Sequence, residues 1–230
     1  LWLAEFPLKA GKAWAWWTLL LSGVTGFSSF LAYLGYGYLD TWHGAATMCL
    51  LPIFVIGMER SFGLLHGNRK AACLWRDRRA IGLKTKSELG WLCVSFIGLG
   101  MGGAGAVIMF VGMTTVFVPE DLMFLQATAQ EIAAINPHLV PLIAHDRAGF
   151  GGGLLSAGIM VALIALHAEP APAVWQALLV SGAAGFLCAV GVHLCIGYLV
   201  PIHLAPAIAG AAIFIAGMLL IWRDCNSPEI

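Results

Sequence analysis

Charge is the scarcest property of this 230-residue chain: Asp, Glu, Lys and Arg together make up 10% of it, against about 25% in an ordinary soluble domain. The charges it has cancel, 12 basic against 12 acidic, so there is no basic field to attract nucleic acid and none is expected as a partner. Cysteine motifs are missing too. Cys49, Cys73, Cys93, Cys188, Cys195 and Cys225 are scattered without any C-x-x-C and mostly inside apolar runs. That pattern argues against a zinc site or a disulfide framework and predicts small buried hydrophobes. The chain starts at Leu1 without a charged segment ahead of a short apolar core, the mark of a secretion signal.

What remains is hydrocarbon. Hydrophobic residues make up 60% of the chain and the mean hydropathy is +0.87. Its apolar runs are long enough to cross about 30 Å of bilayer and too rich in glycine and too unbroken for a β-barrel. The expected fold is all-α: a polytopic transmembrane bundle of about six spans, near residues 13–39, 44–65, 89–118, 148–166, 173–199 and 205–222. Trp14, Trp16 and Trp17 at the start of the first span suit an interfacial belt. The string G-L-G-M-G-G-A-G in the third is a helix-packing signal, since no strand precedes it as a dinucleotide fingerprint requires.

Basic residues cluster between the second and third spans, at Arg60, Arg69, Lys70, Arg76, Arg78, Arg79, Lys84 and Lys86. By the positive-inside rule this loop is cytoplasmic, and it offers contacts to anionic lipid or to a cytosolic partner. Alternation then puts both termini and the 167–173 turn inside, and the 40–43, 119–146 and 200–204 loops outside. The localisation expected is a multi-pass protein of the bacterial cytoplasmic (inner) membrane.

An internal repeat underlies this layout. S-G-V-T-G-F at Ser22 matches S-G-A-A-G-F at Ser181, an offset of 159, while G-Y-L-D-T-W-H at Gly37 matches G-Y-L-V-P-I-H at Gly197, an offset of 160. I-F-V-I-G-M at Ile53 matches I-F-I-A-G-M at Ile213, again at 160. Spans one and two thus read as copies of spans five and six in the same orientation, a parallel repeat. Residues 1–66 form a partial first repeat, 67–88 the cytoplasmic basic loop, and 89–224 a second repeat of four spans with the outer 119–147 loop. Because L-W-L-A-E-F-P at Leu1 resembles the A-L-I-A-L-H-A-E-P that precedes span five, the natural protein is expected to extend further toward its N-terminus.

The blocks W-L-A-E-F-P-L, F-L-A-Y-L-G-Y-G-Y-L-D-T-W-H-G, F-V-P-E-D-L and N-P-H-L-V-P-L-I-A-H-D-R-A-G-F-G-G-G resemble a family of bacterial polytopic membrane proteins with tandem repeats. Some of its members are labelled dihydroorotate dehydrogenase-like. The resemblance implies a multi-pass architecture; dehydrogenase activity does not follow, because these residues contain no flavin-binding α/β barrel.

Polar chemistry concentrates between Phe117 and Leu155, where His145, Asp146 and Arg147 stand ahead of an apolar helix expected to begin at about Ala148. Ionisable groups at a membrane helix mouth are costly and therefore candidate sites. The repeat puts His43 and His203 at equivalent positions, each five residues after a tyrosine, Tyr38 or Tyr198. His43, His145, His203 and Asp146 have the residue types to bind a metal, with His43 and His203 as its ligands, or to exchange protons with a quinone headgroup; interfacial histidines bonded to loop carbonyls are the plainer alternative. His193, within the fifth span, suits a haem or chlorin ligand or a bond to a neighbouring helix.

Asp146 and Arg147 either neutralise each other at the membrane edge or serve a ligand. In the second case Arg147 holds an anionic or quinone group, with Gly149, Gly151, Gly152 and Gly153 allowing close approach at the helix start. Glu120 and Asp121 read as acids of a solvated loop. Within the 119–147 loop, Thr128 is expected to cap a short helix over Ala129–Ile135 that Asn136-Pro137 stops. No complete catalytic constellation is present. The functional expectation is a redox or electron-transport module holding haem, metal or quinone near the outer face. An accessory or scaffold subunit of a larger membrane complex is the main alternative, and a transporter is weaker, since the spans carry almost no charge at their centres.

Overall fold

In a computed structural model, residues 3–32, 41–65, 74, 78–79 and 82–227 are described. They are helical, with no strand among them. A π-helical turn, Ala4–Leu8, precedes α1 (Ala13–Ala32) and α2 (Thr41–Phe62), which a 3-10 turn extends to Leu65. Next come α3 (Lys86–Gly112), the short α4 (Pro119–Leu125) and α5 (Ala129–Ile135), and the long α6 (Leu139–His167). The chain continues through α7 (Pro172–Ile196), α8 (Pro201–Leu220) and the short α9 (Trp222–Asn226). Five of these, α2 with its 3-10 turn, α3, α6, α7 and α8, are long and apolar enough to cross a membrane, so the chain is an integral, multi-pass, all-α membrane protein.

Six spans were expected, and α1, whose described residues end at Ala32, is not among these five. The helix absorbs its own hydroxyls. Thr18 Oγ1 donates to Trp14 O at 2.7 Å, Ser22 Oγ to Thr18 O at 2.7 Å and Thr25 Oγ1 to Leu21 O at 2.9 Å, so their polarity is spent on their own backbone. The predicted continuation of this span to Leu39, Tyr38 within it, and Arg69, Lys70, Cys73 and Arg76 of the basic loop lie outside the described residues.

The chain divides into two compact units, Leu1–Asp77 with Gly100–Met160, and Arg78–Leu99 with Val161–Ile230. In the first, α1 and α2 form an antiparallel hairpin. Trp16 Nε1 donates to Met58 O at 3.1 Å, the Phe27 and Phe54 rings lie 5.3 Å apart, and Trp16 packs on Phe62 at 5.2 Å. Gly23 leaves room for the Phe54 ring, which a Cβ there would force to shift.

The α3 and α6 segments of this unit meet backbone to backbone. A side chain on Gly105 would strike Leu155 N and Gly151 O, and one on Gly151 would strike Met109 N, so the glycine run packs helices as its composition indicated. Ser156 Oγ donates to Ser22 O at 2.8 Å and Ser29 fills the space above Gly152, which fastens α1 to α6. Beyond the helix ends, Val116, Phe117, Ile132 and Ala144 make a small apolar core that seats α4 and α5 on the start of α6.

In the second unit, α7 and α8 form another antiparallel hairpin with the same contacts at offsets of 159 and 160. Trp175 Nε1 donates to Met218 O at 2.9 Å, Phe186 and Phe214 lie 5.6 Å apart, Trp175 packs on Trp222 at 4.6 Å, and Gly182 faces Phe214. Cys225 is buried, but Cys49, Cys188 and Cys195 are exposed on their helices, contrary to the expectation that the cysteines are core residues. In a membrane an outward thiol costs little, because lipid is as apolar as a core.

Candidate functional site

The helix that carries His145, Asp146 and Arg147 begins at Leu139, not near Ala148. Asn136 Oδ1 accepts the backbone N–H of His138 at 2.9 Å, a turn that starts the helix directly after Asn136-Pro137, and Pro141 is tolerated in the first turn. Thr128 and α5 are found as expected, with Thr128 accepting from Glu131 N at 3.2 Å and Glu131 bonding back to Thr128 N at 2.7 Å. Thr128 N and, at 2.8 Å, Thr128 Oγ1 both donate to the Glu131 carboxylate and hold it below its ordinary pKa, the backbone bond contributing most.

Because His145, Asp146 and Arg147 are helical, each points about 100° from the last, and their fates diverge. Arg147 Nη2 donates to Asp121 Oδ2 at 2.6 Å. Asp121 is buried and also accepts Val118 N at 2.9 Å, closing the N-terminus of α4, so it is not the solvated loop acid expected. Its guanidinium thus already carries a carboxylate, and because α6 starts about 12 Å of helix earlier, Arg147 does not stand at a helix N-terminus. Gly151 and Gly152 face neighbouring helices rather than a ligand.

His145 turns the other way. Its Nδ1 lies 2.8 Å from Asp146 Oδ1, and the carboxylate can only accept, so Nδ1 carries the proton. The His145 side chain is 9% exposed while that of Asp146 is 68% exposed, so the pair runs from surroundings to interior within one hydrogen bond. His43, in the first turn of α2, sets its ring 4.9 Å from that of His145 at 77°, and Phe30 at the end of α1 lies 5.8 Å from His43. Three helix ends thus converge on one corner of the first unit.

The second unit holds His193, Tyr198 and His203. His193 is in the last turn of α7, and its Nδ1 donates to Ala189 O of its own helix at 2.8 Å, not to a neighbouring helix as expected. Gly197 adopts φ 73° to end the helix, which folds Tyr198 back so that its ring stacks on His193 at 5.8 Å and on His203 at 5.3 Å. His203 is in the first turn of α8, and its Nε2 is buried with no hydrogen-bond partner among the described residues.

Arg79 was missed as anything but a topology charge. Its guanidinium lies 4.0 Å over the buried Trp91 and donates to Ala168 O, while its backbone N–H donates to Leu166 O at 2.7 Å. It therefore closes the C-terminus of α6 with a cation. Burial lowers its pKa, and nearby Asp224 opposes the shift. Nothing in the spacing of the basic cluster distinguishes Arg79 from its neighbours.

Among the described residues, no three His, Cys, Asp or Glu side chains stand together as ligands for a metal ion. Compared with protein-family models, with curated proteins and with solved structures, the chain matches none of them, so its chemistry rests on its own residues.

Proposed function

We propose that this integral membrane protein is a redox module that takes a quinone headgroup at the His43–His145–Asp146 corner and exchanges protons with it near the outer membrane face. The observation that carries this is the line from exposed Asp146 through buried His145 to His43. Reduction of a quinone to a quinol takes up two protons together with two electrons that a separate electron-donor protein supplies, and imidazole is the side chain whose protonation changes nearest neutral pH. A carboxylate that fixes the tautomer of an inner imidazole and stands exposed itself supplies an entry for those protons. The matched contacts of the two hairpins support a duplicated helical pair, in which His203 with Tyr198 and His193 is the counterpart of the His43 corner.

Tryptophan quenching on titration of the protein in nanodiscs with dimethoxymethylbenzoquinone tests this. Saturable binding, weakened at least tenfold by His145→Ala or His43→Ala, is expected. Binding that neither variant changes, or no saturable binding, contradicts it.

A second reading, an accessory subunit of a larger membrane complex, draws on α7, whose most apolar stretch buries none of its residues. Extraction in a mild detergent and native mass spectrometry distinguish it by showing, or failing to show, a partner chain.

A further inference from the structure

Beside the polar corner, the hairpin of α1 and α2 holds a cavity of about 290 Å³ lined by apolar side chains, among them Leu20, Phe27, Leu31, Leu51 and Phe54, with Ser28 as its polar member. It follows α1 from Leu20 to Leu31, about 16 Å of helix. Its upper end, Leu31, is the residue next to Phe30, whose ring lies against His43. Leu31 itself is 45% exposed, so the cavity opens at the side of the hairpin.

We infer that this groove holds the isoprenoid tail of a quinone whose headgroup occupies the His43–His145 corner. A narrow apolar trough that opens sideways on a membrane hairpin, with its upper end at Leu31 next to the Phe30 that packs on His43, has the polarity of an amphipathic molecule with one aromatic, hydrogen-bonding head and one long apolar tail. A phospholipid fits less well, because the guanidinium of Arg147, next to Asp146 in sequence, already donates to the Asp121 carboxylate. Most of the binding free energy then comes from the tail, by burial of apolar surface, and the orientation from the head.

This inference rests on the proposed quinone site, and its test separates the two. Dimethoxymethylbenzoquinone, which has no tail, and its decyl derivative are titrated into the protein in nanodiscs, with the decyl compound corrected for its partition into lipid. Ser28→Phe and Leu51→Trp each fill the groove from a different helix, and circular dichroism and gel filtration identify the variant that folds as the parent does. The decyl compound is expected to bind the parent at least tenfold more tightly than the tail-less one, and the filled variant to lose that advantage while holding the tail-less quinone within twofold. Equal affinity for both compounds in the parent overturns the groove and leaves the headgroup site standing, as does a tail advantage that both filled variants retain. No binding of either compound overturns both. Native mass spectrometry that finds a phospholipid retained in the parent and not displaced by the decyl quinone also overturns the groove assignment.

Discussion

Asp121 shows how one side chain can be misread when only its neighbours in sequence are visible. It follows Pro119 and Glu120 in what looks like a hydrated turn, yet it is buried and bonded to Arg147, 26 residues away. Because both partners are largely removed from solvent, losing one strands the other. Arg147→Gln or Asp121→Asn alone should cost about 3 kcal/mol in a denaturation series, and Arg147→Met combined with Asp121→Leu should recover most of it. Equal and additive losses would mean that the two do not act as a pair. Glu131 gives the pH counterpart. Its carboxyl pKa is depressed by Thr128, so its contribution to stability is complete above the ordinary unfolded-state pKa of about 4.3 and is lost as pH falls through the lower folded-state value. Thr128→Ala removes the hydroxyl bond but not the larger backbone bond, and the Glu131 carboxyl, followed by NMR, should titrate higher than in the parent while remaining below its ordinary range.

At the scale of elements, glycine decides which helices touch. Gly105 and Gly151 stand where α3 and α6 share backbone contact, whereas Gly103, in the same run, has open space where a Cβ would lie. Gly105→Leu or Gly151→Leu should therefore destabilise the protein by at least about 2 kcal/mol through overpacking. Gly103→Ala should stay within about 0.5 kcal/mol of the parent. Thermal unfolding in one detergent compares them, and a Gly103 variant as damaged as the others would mean that the run is not divided into packed and open faces. The two hairpins add a comparison within one molecule. The Trp16–Met58 and Trp175–Met218 bonds are the same device at an offset of 159 for the tryptophan and 160 for the methionine, so the single-residue gain falls between the paired positions.

For the whole molecule, membrane residence and helix content were legible from composition, because a deficit of charge and long apolar runs leave a chain few other stable states. Helix starts were less legible. Span four was expected to begin only after the charged residues, since charge is costly in lipid, but a helix that runs beyond the hydrocarbon keeps its hydrogen bonds and takes His145, Asp146 and Arg147 with it. The repeat put His43 and His203 at equivalent positions and span alternation put His145 on the same side, but neither pattern signals the ring contact of His43 with His145. The exchange of partners that sends Arg147 to Asp121 and Asp146 to His145 depends on side-chain directions around a helix whose start was misplaced by nine residues. The His193–Tyr198–His203 stack needed the reversed chain at Gly197, which the sequence signals only as a glycine near a helix end.

Photolabelling with an azidoquinone, followed by peptide mapping, tests the headgroup site most directly. Label on peptides carrying His43 and His145, suppressed by excess decyl quinone and lost in His145→Ala, is the predicted result. Label confined to other helices, or label that excess quinone does not suppress, would contradict a quinone site at this corner.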